Sequence, residues 1–108
     1  MNPKEFWGTK KPVLAVDIDG TICKDGSFPR YGEAEPLLEE IERLRELAEH
    51  YFIVLWSARY EADRAITEAW LHRWQVPFSH LLLGKLPFDA FVDANSYKFP
   101  TEIKESSK

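Results

Sequence analysis

The stretch VLAVDIDGTIC, Val13 to Cys23, runs a short apolar segment straight into two carboxylates, Asp17 and Asp19, with Gly20 and Thr21 behind them. Bounded by Pro12 on one side and an Asp/Gly turn on the other, Val13–Val16 reads as a buried strand. Side chains alternate along a strand, so Asp17 and Asp19 are expected to point the same way, with Ile18 pointing elsewhere. Two anions this close repel, so a nearby cation or a raised pKa is expected.

Outward from this strand the pattern repeats. Lys24–Glu35 carries Asp-Gly, Pro and Gly and reads as a loop. Residues 36–50, PLLEEIERLRELAEH, read as a helix, with Pro36 suited to its first turn and Leu37, Ile41, Leu44 and Ala48 on one face. Tyr51–Trp56 is a second buried strand. Residues 57–74 return to a helical period, with Ala62, Ile66, Ala69 and Trp70 sharing a face. Ser79–Leu83 is a short third strand and Asp89–Val92 a fourth, ending at Asp93. From Lys98 the chain is a polar tail. Strands alternating with helices predict an α/β fold: a Rossmann-like three-layer sandwich, with a small, mostly parallel sheet covered by helices on both faces. In such sheets ligands bind beyond the carboxyl ends of the strands. Asp17, Ser57 and Asp93 each follow the last apolar residue of an expected strand, which brings three oxygen-bearing side chains to one rim. Carboxylate and carbonyl donors without a His or Cys cluster suit Mg²⁺.

The totals narrow the class. The chain has 108 residues, enough for one domain spanning 1–108 with a core at about 12–97. Its net charge of −4 argues against nucleic acid as the default partner, since that affinity comes largely from Lys and Arg. The single cysteine, Cys23, excludes an internal disulfide and a cysteine-based zinc cluster. With no apolar leader and no run of membrane-spanning length, the sequence reading is a soluble, cytoplasmic protein with no membrane partner.

The ordered motifs resemble those of the haloacid-dehalogenase-like (HAD) phosphatases. DIDGT after an apolar strand is similar to motif I, D-x-D-x-[TV]. Ser57 in IVLWSAR matches motif II, Lys85 the motif III lysine, and Asp93 in FVDAN the acidic motif IV. GKLPFDAFVDA and PRYGEAEP further resemble small, nearly capless bacterial members linked to capsule or surface-sugar synthesis. The resemblance implies Asp17 as the nucleophile that forms an aspartyl-phosphate, and Asp19 as the acid–base. It implies Mg²⁺ held by the Asp17 carboxylate, the Asp19 backbone carbonyl and Asp93. Ser57 and Lys85 would bind the phosphoryl group, Ser57 aided by free amides where a helix begins. Thr21 and Gly20 would shape the turn below the site, and Thr21 is also a candidate substrate contact. Arg59 and Arg30 are candidate substrate contacts, and Arg64 is as readily a surface charge. The subgroup carries two adjacent acids in motif IV where this chain has Asp93-Ala94, and Asn95 offers a neutral oxygen in place of the second. The expected activity is Mg²⁺-dependent hydrolysis of a small sugar or polyol phosphate. The alternatives are a silent binding module that keeps the fold, and a phosphatase acting on nucleic-acid 3′-phosphate ends. About a dozen residues between Ile22 and Glu35 are too few for a cap domain. The open mouth is therefore expected to be closed by a homo-oligomer, through aromatic residues near Phe28 and Tyr31.

Overall fold

The computed structural model describes residues 1–87 and 89. Of the expected strand at Asp89–Val92 only Asp89 is described, exposed and in a bend; the rest of it, with Asp93, Ala94 and Asn95, lies outside the described residues. Three strands, β1 (Val13–Val16), β2 (Phe52–Ser57) and β3 (His80–Leu83), form a parallel sheet in the order β1-β2-β3. Helix α2 (Leu38–Leu47) links the first pair and α3 (Arg64–Arg73) the second. The register places Val16 beside Leu55 and Ser57 beside Leu83, so the carboxyl ends of the strands finish near one level.

Strand alternation divides the two faces of the sheet. Leu14, Val16, Ile53, Leu55, Leu81 and Leu83 point to the side where Ile41 and Leu44 of α2 and Trp70 and Leu71 of α3 complete the core. Arg45 of α2 donates to the carbonyls of Trp74 and Gln75 at the end of α3, tying the two helices together. Phe52 and His80 belong to the opposite face, where Trp7 packs on both rings, at 5.9 and 4.8 Å between centroids. Trp7 ends α1 (Pro3–Trp7), a helix not expected from the sequence. Its signal is local: Asn2 and Glu5 form a capping box, with Pro3 in the first turn. Helical layers thus lie on both sides of the sheet. No described helix is long and apolar enough to cross a membrane.

Ile41 and Leu44 of the expected α2 face are buried, but the helix is shorter than expected: Pro36 precedes it, and Leu37 and Ala48 are its half-buried caps. The α3 face is rotated: Thr67, Trp70 and Leu71 are buried, whereas Ala62, Ile66 and Ala69 are exposed. The reason is polar. Thr67 is turned inward because its hydroxyl accepts from a buried arginine, Arg59. Trp70 satisfies its indole by donating to the Ala34 carbonyl at 2.9 Å, which pins the loop after β1 against α3.

Candidate active site

The chain leaves β1 at Val16 and curls. The Ile18 carbonyl accepts from the amides of Thr21 and Ile22, and Gly20 turns at φ 86°, in the left-handed region that favours glycine. Regular strand pairing ends at Val16, before either carboxylate, so alternation along β1 no longer fixes how Asp17 and Asp19 point. They take different cations instead. Asp17 is 43 % exposed, accepts from the Ile18 amide at 2.8 Å, and lies 3.9 Å from the Lys85 ammonium. Asp19 is 24 % exposed and is gripped by Arg59, whose Nε donates to Oδ2 at 3.0 Å and whose Nη2 donates to Oδ1 at 2.8 Å. The expected repulsion between two nearby carboxylates is thus met by two cations of the protein itself.

Lys85 reaches Asp17 because of the turn after β3. Gly84 adopts φ 87°, its amide donates to the Arg59 carbonyl, and the Lys85 amide donates to the Ser57 carbonyl. This folds the chain back across the end of β2. The Lys85 ammonium also lies 4.9 Å from the Trp56 ring, making Trp56 a wall beneath it. Asp17, Ala58, Lys85, Leu86 and Pro87 line an open cleft of about 250 Å³.

Arg59 requires a correction. Expected to touch substrate, it is 2 % exposed and turned into the interior. Besides Asp19, it donates to Thr67 Oγ1 at 3.0 Å, and its guanidinium stacks 3.8 Å from the Tyr31 ring centroid. Burial alone would lower its pKa, but the hydrogen bonds and charge of Asp19 outweigh burial and raise it. Cys23 belongs to the same cluster, with Sγ 3.6 Å from Asp19 Oδ1. Burial first, and then the Asp19 charge, push its thiol up to about 11, in keeping with an inert packed residue.

Ser57 ends β2 at the rim, but it does not begin a helix. Ala58–Tyr60 intervene before a 3₁₀ turn at Glu61–Asp63, so the expected free amides are not beside it. Ser57 is fully buried, and its Oγ accepts from the Arg59 amide at 3.1 Å, which leaves its proton available to donate. Thr21 is exposed and lines a groove with Val16, Ile22 and α2, away from the cleft that holds Asp17 and Lys85. Its expected role as a substrate contact is not supported by that placement. Arg30 is exposed in the loop and pairs with Glu33 at 3.7 Å. Arg64 bonds to Glu61, Glu68 and the Leu81 carbonyl, as a surface charge would. Among the described residues no three His, Cys, Asp or Glu side chains gather into a metal cluster. Asp17 and Asp19 are the described members of the expected ligand set. The Asp19 side chain is committed to Arg59, which leaves the Asp17 carboxylate as the side-chain donor. A hard oxygen donor of this kind fits a small hard cation such as Mg²⁺.

Solved structures share this fold. An MCSG target from Vibrio cholerae matches with a TM-score of 0.61 and 27% identity, over 89% of this chain and 85% of that one. A chain of a Pnkp1/Rnl/Hen1 complex matches with a TM-score of 0.60 and 23% identity, over 84% of this chain. A chain of the Pnkp1/Rnl/Hen1 RNA repair complex also matches at 0.60, with 22% identity over 82% of this chain. This chain spans only 31% and 28% of those two, so what is shared with them is the fold. No family model and no curated protein matches the sequence.

Two features of the site escaped the sequence reading. Tyr31 and Thr67 help to seat the buried arginine, and Cys23 touches the second carboxylate. The usable signal was Ser-x-Arg directly after a buried strand, with a Thr one position off the apolar face of the next helix.

Proposed function

We propose that this chain is a Mg²⁺-dependent phosphatase of the HAD type that hydrolyses a phosphate monoester through an aspartyl-phosphate on Asp17. The observation that carries this reading is the placement of Asp17. It is half exposed at the end of the first strand, beside Lys85, and opens onto a cleft. An Asp17 oxygen would attack phosphorus as the bond to the leaving oxygen breaks, and Asp19 would give that oxygen its proton. Water would then attack the phosphorus of the acyl phosphate, pass its proton to Asp19, and free Asp17. Lys85 would hold the phosphoryl oxygens against the anionic nucleophile, and the Ser57 hydroxyl would donate to one of them once the rim opens to substrate. Mg²⁺, held by the Asp17 carboxylate, the Asp19 backbone carbonyl and Asp93, would supply charge that offsets the meeting of two anions. With Ala94 in place of a second acid, the metal site is expected to be weak, on the order of millimolar.

The net charge of −4 supports a small sugar or polyol phosphate as substrate, with a second copy of the chain closing the mouth. The nucleic-acid-end reading has one observation in its favour, the fold shared with chains of an RNA repair complex. A panel of sugar phosphates, nucleotides, an aryl phosphate and a 3′-phosphorylated oligonucleotide, each with Mg²⁺ and with EDTA, separates the two. Hydrolysis of none of these by a protein that still binds Mg²⁺ would favour a silent binding module.

A further inference from the structure

The Arg59–Asp19 pair suggests how the acid–base group is aimed. A carboxylate presents about four lone-pair directions, and a bidentate guanidinium occupies one on each oxygen. The fork fixes the plane of the carboxylate, so the remaining directions are fixed too. An arginine can aim another group only if it is itself immobile, and Arg59 is held on every side. Thr67 Oγ1 accepts from Nη1, Tyr31 stacks on the guanidinium plane, and Cys23 Sγ lies 3.8 Å from Nη2. Its backbone is fixed as well: its amide donates to Ser57 Oγ, and its carbonyl accepts from Gly84. Arg59 therefore ties the strand ends together, its backbone bridging Ser57 of β2 and Gly84 after β3, and its guanidinium joining Asp19 after β1 to the first turn of α3 and to Tyr31. A buried arginine is a costly choice for mere packing, since an apolar side chain of similar volume often does as well. A planar fork aimed at a planar carboxylate is a task for which lysine is no substitute.

We propose that Arg59 is a positioning residue that holds the Asp19 carboxyl group in the orientation from which its acid form protonates the leaving oxygen. This rests on the phosphatase reading of Asp17 and Asp19. Arg59 touches no substrate. Its effect passes through Asp19 alone, so it matters most where the leaving group needs a proton. A poor leaving group such as an alkyl phosphate depends on the general acid, whereas an activated aryl phosphate departs as a stable anion. The ratio kcat/KM covers only the steps up to formation of the phosphoenzyme, so later hydrolysis does not enter it.

The experiment compares kcat/KM for an alkyl and a nitrophenyl phosphate in wild type, Arg59→Lys, Arg59→Met, Asp19→Asn and Arg59→Lys/Asp19→Asn. Folding of each is checked by urea denaturation. Arg59→Lys keeps charge and most of the volume, so it serves if Arg59→Met does not fold. General acid–base catalysis is worth about 10²–10⁴-fold. Arg59→Lys should therefore lose on the order of 10²-fold on the alkyl ester and less than about tenfold on the aryl ester. Added to Asp19→Asn it should cost nothing further, because groups that act as a unit are not additive. Equal losses on both esters, or losses that multiply in the double variant, would overturn the positioning role while leaving the phosphatase reading in place. A wild type inactive on both esters would overturn the two together.

Discussion

Asp17 and Asp19 are two residues apart in one motif, yet their removal should affect stability very differently. Asp19→Ala strands a guanidinium that is only 1 % exposed, leaving Thr67 Oγ1 and Cys23 Sγ as its partners. Removing one partner of a buried ion pair costs about 3–5 kcal/mol. Asp19 is 24 % exposed, so water enters part of the vacated space and the lower end, about 3 kcal/mol, is expected. In a domain of this size 1 kcal/mol moves Tm by about 4–8 °C, so Asp19→Ala should lower Tm by more than about 10 °C. Asp17 is 43 % exposed and 3.9 Å from its cation. Pairs of that kind contribute about 0–1 kcal/mol, and losing one of two neighbouring anions offsets even that. Asp17→Ala should therefore stay within about 1 kcal/mol of wild type. Urea denaturation is the suitable assay, because guanidinium salts screen ion pairs and mimic the arginine. The double variant Asp19→Ala/Arg59→Met should recover most of the loss, since no buried charge remains unpaired. Equal stabilities for Asp17→Ala and Asp19→Ala, or a double variant as unstable as the sum of its parts, would refute this reasoning.

Two further outcomes follow from the same cluster and its neighbouring turn. The Cys23 thiol, raised to about 11 when folded against an ordinary 9.0, contributes stability that is fully present below about pH 9 and is lost as pH rises through 11. Iodoacetamide at pH 9 should leave native Cys23 unmodified and label it in urea; rapid native labelling would contradict the burial. Gly84→Ala forces a side chain into φ 87° with no compensating contact. It should destabilise by about 1–2 kcal/mol and, by moving Lys85, raise KM for every ester alike; an unchanged KM would separate Lys85 from phosphoryl binding.

The extent to which this architecture was legible follows the physics of each signal. Val13–Val16 coincides with β1 because a fully apolar run between Pro12 and an Asp/Gly turn admits little else, but as an edge strand among the described residues it is half-buried rather than buried, with Ala15 exposed. The α2 face was legible because Ile41 and Leu44 are aliphatic and evenly spaced. The α3 face was not, because Thr67 is buried for its hydroxyl and so carries no hydrophobic signal. Arg59 was assigned to the substrate side for the same reason: a sequence marks an arginine as charged, and only the fold shows that its partner lies inside. The helical period running back through residues 57–63 points to a helix start at Ser57, but a bend and a 3₁₀ turn precede α3. The short α1 has a local signal in its capping box but almost no periodicity, which is the signal on which the helices α2 and α3 rest.

The central claim is that Asp17 carries the phosphoryl group, and trapping the phosphoenzyme tests it most directly. Wild-type protein turning over an aryl phosphate with Mg²⁺ is quenched in acid, digested, and searched for phosphate by mass spectrometry. Phosphate should sit on Asp17, should be absent when EDTA is added before substrate, and should be absent from a folded Asp17→Asn variant whose turnover has fallen by several orders of magnitude. Wild-type turnover by Asp17→Asn, or phosphate trapped on a different side chain, would contradict the account.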